Sequence, residues 1–303
     1  MTTPAASRTA GVLFCLLAAT TWGTTGTAAS FAPDVPAVAI GAAAMGIGGL
    51  LQALISLRRI GRARALLARH RVLLVIGALS VALYPLAFYG AMRLAGVTVG
   101  TVISIGSAPA IAALIETRLE GSRLSPRWLI GVCFGLAGMV LLATTEGGPP
   151  GQAPNLPLGV ALGLAAGGSY ALYSWTARRL MQQGVAAPAA MGATFGLGGL
   201  LLMPVLAATG APFLASPGNL AVGAYMALVP MFAGYLAFGQ ALSRITSSQA
   251  TTISLFEPVV AALLAILVVG ERLPVTGWLG VGLILACLLW TEVPLPRRRH
   301  RMA

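Results

Sequence analysis

The sequence predicts an all-α membrane protein: ten transmembrane helices arranged as two inverted five-helix repeats. Three observations lead there. Hydrophobic residues make up 57% of the 303 residues and charged residues only 9%, against about 25% charged in an ordinary soluble domain. Every basic side chain is arginine, and the arginines crowd into alternate connections between apolar segments. Three stretches of the first half recur in the second at nearly constant spacing.

A helix crosses about 30 Å of hydrocarbon with roughly 20 apolar residues. Segments of that length lie at 10–31, 35–57, 72–92, 97–117 and 127–145, then at 157–180, 187–209, 218–242, 248–269 and 273–291. The first is uncharged from Thr9 to Pro33, longer than the apolar core of about 7–15 residues in a signal peptide, so it reads as a retained helix. Residues 180–243 carry no charge and are too many for one helix. Gly210-Ala-Pro212 through Ser216-Pro217-Gly218 is a turn signal that divides them. Glu146 to Pro157, rich in glycine and proline, reads as the linker between halves. The expected domains are a first repeat over 10–145, a linker over 146–156, a second repeat over 157–291 and a basic tail over 292–303.

With the N-terminus placed inside, the inner connections hold Arg8, the run Arg58 to Arg71, Arg118, Arg123, Arg127, Arg178, Arg179, Arg244 and the tail arginines. The outer connections hold only Arg93 and Arg272. Cytoplasmic loops accumulate basic residues, so both termini are expected in the cytoplasm. This topology accounts for the net charge of +12 without nucleic acid as a partner. The run Arg58 to Arg71 reads as a loop anchor at the surface of the lipid bilayer, with contact to anionic headgroups as the alternative.

Gly11 to Trp22 aligns with Gly159 to Tyr170, Pro109 to Leu114 with Pro258 to Leu263, and Arg127-Trp128 with Gly277-Trp278, at offsets of 148, 149 and 150. A near-constant offset across three segments is the mark of an internal repeat. Five spans per half is odd, so the second half enters the membrane upside down. Inverted repeats build many secondary transporters, with the substrate site near the midplane where the repeats meet.

Candidate site residues follow from what a midplane cavity requires. Glu257 is a carboxyl in mid-span, where an ionised side chain costs about 2.5–3.5 kcal/mol unless it faces protein or water. It is the candidate for proton coupling or for an amine-binding group. Pro109 and Pro258 are repeat mates that each remove a helical hydrogen bond, and they are the expected bends. Thr21, Trp22, Tyr84, Phe88, Ser169, Tyr170, Tyr173, Tyr235 and Phe256 are the expected cavity lining, aromatic rings with polar tips being suited to amphipathic solutes. Gly159, Gly163 and Gly167, with the pairs Gly131/Gly135 and Gly192/Gly196, are expected to bring helices close. Cys15, Cys133 and Cys287 read as packing residues without disulfide or metal spacing. Glu116 near Arg118, and Glu120 near Arg123, read as ion pairs at the membrane interface. No catalytic His or Asp lies in a span, so neither an enzyme nor a cofactor or metal site is expected.

The ten spans in two halves, Thr21-Trp22-Gly23, Ser169-Tyr170-Ala171, Pro109, Pro258 and Gly270-Glu271-Arg272-Leu273 before Trp278 together resemble the EamA-type drug/metabolite transporter superfamily. In the first half Leu119-Glu120-Gly121-Ser122-Arg123 departs from the compact Gly-Glu-Arg. The resemblance implies export of small molecules, typically amino acids, across the bacterial inner membrane by alternating access. It implies a cavity lined mainly by spans one, three, four, six, eight and nine, and a similarity to YddG-type exporters of aromatic amino acids. Phosphorylated sugars or nucleotides are the rival cargo and a non-transporting membrane sensor the rival class. The oligomeric state is left open.

Overall fold

The computed structural model describes residues 4–144, 154–270 and 272–292. Among these residues there is no β-strand. The span α1 covers Ser7–Ser30, α2 Ala37–Arg69, α3 Arg71–Ala95, α4 Val99–Glu120 and α5 Pro126–Ala143. The second half repeats the order with α6 Leu156–Gln182, α7 Ala187–Thr209, α8 Pro217–Leu242, α9 Ser247–Val268 and α10 Val275–Glu292. Most of the linker 146–156, all of the tail 292–303 beyond Glu292, and Glu271 lie outside the described residues.

The arginine-rich segment after the second span is not a loop. The α2 helix continues unbroken for 33 residues, about 50 Å at 1.5 Å per residue, and carries Arg58, Arg59, Arg62, Arg64 and Arg69 on its extension. Leu, Ala and Arg are strong helix formers, so the sequence Arg58 to Arg69 propagates the helix past the apolar stretch. We call the side of the bundle bearing this extension the arginine-rich face.

The two halves meet through repeat mates: α2 lies along α7 and α5 along α10, while α6 packs on α3 and α4. Glycines set the separations. A Cβ added at Gly138 would lie 2.6 Å from the Gly280 carbonyl oxygen, and one at Gly199 would lie 2.6 Å from that of Gly46. The spaced glycines act likewise, with Gly167 against Ser104 and Ser107 of α4, Gly135 against Cys287, and Gly192 against Gln52 and Ser56. Cys15 and Cys287 are buried, but Cys133 is exposed on α5 and so is not a packing residue.

Three departures from α geometry lie in the second half, beside one in the first, the turn at Thr24 that interrupts α1. The middle of α8 widens into a π-helical turn over Ala227–Gly234, which contains Pro230. The α9 span tightens into a 3₁₀ turn at Ser254–Phe256 and resumes as an α-helix at Glu257 with Pro258 in its first turn. It then widens again over Ala265–Val269. In the first half, by contrast, α4 runs through Pro109 as a continuous helix. The repeat mates Pro109 and Pro258 therefore sit in different backbones, and the irregular turn accompanies Pro258 alone.

Candidate functional site

Proline lacks an N–H and obstructs the carbonyl four residues back, so Pro230 interrupts the regular α-helical ladder of α8, which widens here into its π-helical turn. Side chains of the first half bond backbone oxygens of that turn. The Trp22 indole N–H donates to the Pro230 oxygen at 3.0 Å, and the Gln52 amide donates to the Met231 oxygen at 3.2 Å. Gly234 makes room: a Cβ there would lie 2.5 Å from Thr21 Oγ1 and 3.0 Å from Trp22 Nε1.

An aromatic cluster grows from this junction. The Trp22 ring lies 4.8 Å from Tyr235 and 5.1 Å from Phe238, centroid to centroid, and meets Tyr170 edge-on at 6.2 Å. Tyr170 is 5.3 Å from Tyr173 and 5.9 Å from Tyr84, which stacks on Phe88 at 5.7 Å. The Tyr173 and Tyr235 hydroxyls are 2.7 Å apart and share one hydrogen bond. Phe195 of α7 closes the cluster, 4.5 Å from Tyr235 and 5.3 Å from Tyr173. Trp22, Tyr170, Tyr173, Phe195, Tyr235 and Phe238 are buried, whereas Tyr84, Phe88 and Phe256 are half-buried at its edge.

The structure thus brings Thr21, Trp22, Tyr84, Phe88, Tyr170, Tyr173 and Tyr235 together, while Phe256 joins this cluster to a second core under α5 and α10. The Thr21 and Ser169 hydroxyls donate to Ala18 and Ala165 in their own helices, each at 2.7 Å. By contrast, the buried hydroxyls of Ser104, Ser107 and Ser174 have no hydrogen-bond partner among the described residues.

Glu257 stands on the half-buried side of this cluster, at the restart of α9. No hydrogen bond or ion pair of its carboxyl occurs among the described residues. Its electrostatic neighbours are Tyr84, Tyr89, Tyr170 and Tyr235. Among the described residues no group of three His, Cys, Asp or Glu is placed to hold a metal ion.

On the arginine-rich face the structure corrects the reading of two carboxylates. Glu116 is 3% exposed and does not form an ion pair with Arg118. It accepts the backbone N–H groups of Ser247 at 2.6 Å and Ser248 at 3.2 Å, and the Ser248 hydroxyl. Glu120 accepts the Trp175 indole N–H at 2.8 Å rather than pairing with Arg123. Arg178 donates to the carbonyls of Leu242, at 2.9 Å, and Ile245. The one ion pair among the described residues joins Arg8 to Glu292 at 2.7 Å, fastening α1 to α10.

Phe195, Gln52, Pro230, Glu116 and Arg178 were not expected at functional positions. Gln52 could have been found, because an amide within an apolar span is costly unless it has a partner. Phe195 gives no such signal inside an apolar run.

The profile of the EamA-like transporter family matches residues 9–144 and 157–292. The chain belongs to that family. Two curated relatives are similar along most of its length. The uncharacterized transporter YwfM of Bacillus subtilis is 34% identical over 284 residues, covering 91% of this chain and 92% of YwfM. The uncharacterized inner membrane transporter YicL of Salmonella typhimurium is 26% identical over 230 residues, covering 76% of this chain and 74% of YicL. A solved crystal structure superposes with a TM-score of 0.79 over 94% of this chain and 97% of its own, at 20% identity, a level at which the likeness speaks for the fold alone. This EamA-family protein is therefore a multi-pass membrane transporter, with ten membrane-capable helices among its described residues.

Proposed function

We propose that this EamA-family protein exports small amphipathic metabolites, aromatic and other neutral amino acids first among them, by alternating access through the space beside the aromatic cluster. The observation that carries the reading is the juxtaposition of Trp22, Tyr84, Tyr170 and Tyr235 with the unpaired carboxyl of Glu257. Aromatic faces accept a flat apolar side chain, and a carboxylate with no internal partner suits an ammonium group or an exchanging proton. Phosphorylated cargo would require fixed cations, and the cluster contains none. The arginine-rich face is the cytoplasmic one by the loop-charge rule, which puts both termini inside the bacterial plasma membrane.

The domains we assign are the two repeats 10–145 and 157–291, joined at 146–156 and followed by a basic tail. The test is counterflow in liposomes with each of the twenty amino acids, using purified protein shown to be folded by its thermal transition. Saturable exchange of phenylalanine, tyrosine or tryptophan is expected. Uptake of none of the twenty above empty vesicles would overturn the substrate assignment.

A further inference from the structure

The arginine-rich face holds a cavity of about 440 Å³, apart from the aromatic cluster, between the end of α6, the connection to α7 and the corner joining α8 to α9. Arg178, Gln182, Ser243 and Arg244 form its polar wall, and none of its lining residues is acidic. Both guanidinium groups are fixed. Arg178 Nη1 is held by the Leu242 and Ile245 carbonyls. Arg244 Nη1 donates to the Gln240 backbone oxygen at 2.6 Å, to Gln240 Oε1 at 2.9 Å and to Ser243 Oγ at 2.9 Å, while its guanidinium lies over the Phe14 ring at 5.3 Å.

What remains is the other edge of each fork. Arg178 Nε is buried without an acceptor among the described residues. Glu116 and Glu120, which act on Arg178 through space, are themselves engaged by Ser247, Ser248 and Trp175. Two immobilised guanidinium groups on one wall of the cavity match the oxygens of a phosphate group, which Arg binds in two-pronged fashion.

We propose that this cavity binds an anionic phosphate group at the arginine-rich membrane face, supplied by a phospholipid headgroup or by a phosphate-bearing solute. Because Arg178 also holds the Leu242 and Ile245 carbonyls, the occupant tightens the corner between α8 and α9. The proposal is independent of the substrate assigned above.

The experiment uses the full chain, freed of lipid in neutral detergent. Binding of phosphatidylglycerol and of phosphatidylcholine with matched acyl chains is measured by native mass spectrometry, and inorganic phosphate is titrated into tryptophan-fluorescence melts. Phosphatidylglycerol is expected to bind about tenfold tighter than phosphatidylcholine, the scale of one charge-assisted two-pronged contact. Arg244→Gln should erase that preference, Arg244→Lys should keep part of it, and Arg59→Gln on the α2 extension should keep all of it. A rise in melting temperature with inorganic phosphate that Arg244→Gln abolishes would support the site and assign it to a soluble ligand. Equal binding of the two lipids without a phosphate response, or an equal loss in Arg59→Gln and Arg244→Gln, would overturn the proposal.

Discussion

The Glu116 carboxylate accepts the Ser247 N–H at 2.6 Å across 131 residues of sequence, tying the first repeat to the second. The start of a helix leaves N–H groups without internal acceptors. Here Glu116 takes those of Ser247 and Ser248, and the Thr246 hydroxyl takes that of Gln249 in a capping box. The negative charge also meets the positive end of the helix dipole. The α8–α9 corner is thereby pinned to α4 by Glu116 and to α6 by Arg178.

Glu116→Ala is expected to lower stability by about 1–3 kcal/mol, the usual effect of leaving buried donors unpaired. It should also loosen the corner. A cysteine at position 248, in a chain lacking Cys15, Cys133 and Cys287, should react faster with a bulky thiol reagent when Glu116 is replaced. An unchanged rate would show that Glu116 does not pin the corner.

Trp22→Phe keeps a ring but leaves the Pro230 oxygen without its indole donor. A loss of about 0.5–1.5 kcal/mol is expected for one hydrogen bond, with Trp22→Ala costing about 3–5 kcal/mol through the cavity it opens. Thermal melts of the two variants provide the comparison.

The shared hydrogen bond of Tyr173 and Tyr235 predicts non-additivity. Each Tyr→Phe variant should cost about 1 kcal/mol, and the double variant little more than either single one. Strictly additive losses in a double-mutant cycle would show that the two hydroxyls act separately.

Glu257→Gln removes the proposed coupling carboxyl on the half-buried side of the cluster. Exchange in liposomes should lose its dependence on pH while folding is retained. A pH profile identical to that of the parent chain would assign Glu257 a structural role alone.

Gly138→Ala sets a methyl against the Gly280 carbonyl and should destabilise by about 1–3 kcal/mol. Gly61 has nothing within 4 Å of an added Cβ, so Gly61→Ala should be neutral or stabilise by up to about 1 kcal/mol through helix propensity. Melts of the pair separate close packing from a general intolerance of larger residues.

Much of the helical layout is legible because most spans are long apolar runs between arginines or turn residues. The third span, read at 72–92, is the helix Arg71–Ala95, and the seventh, read at 187–209, is Ala187–Thr209. The α2 extension is not legible in this way, because arginine density marks loops as well, although the same residues are good helix formers. Trp22 and Tyr170 were visible as repeat mates. The π-helical turn at Ala227–Gly234 was not, since Pro230 gives the same local signal as Pro109, and only packing against Trp22 and Gln52 distinguishes them. The role of Glu116 is hidden for a related reason: its donors, Ser247 and Ser248, belong to a corner that is distant in sequence.

The irregular turns of α8 and α9 have no counterpart at Pro109, so exchanging the roles of the two halves does not regenerate the same molecule. Under the proposed alternating access, the inward and outward journeys of a solute are then expected to have unequal dwell times. A passive carrier built this way still obeys detailed balance: the lopsided backbone governs how long each passage takes, and the gradients alone decide on which side the cargo collects.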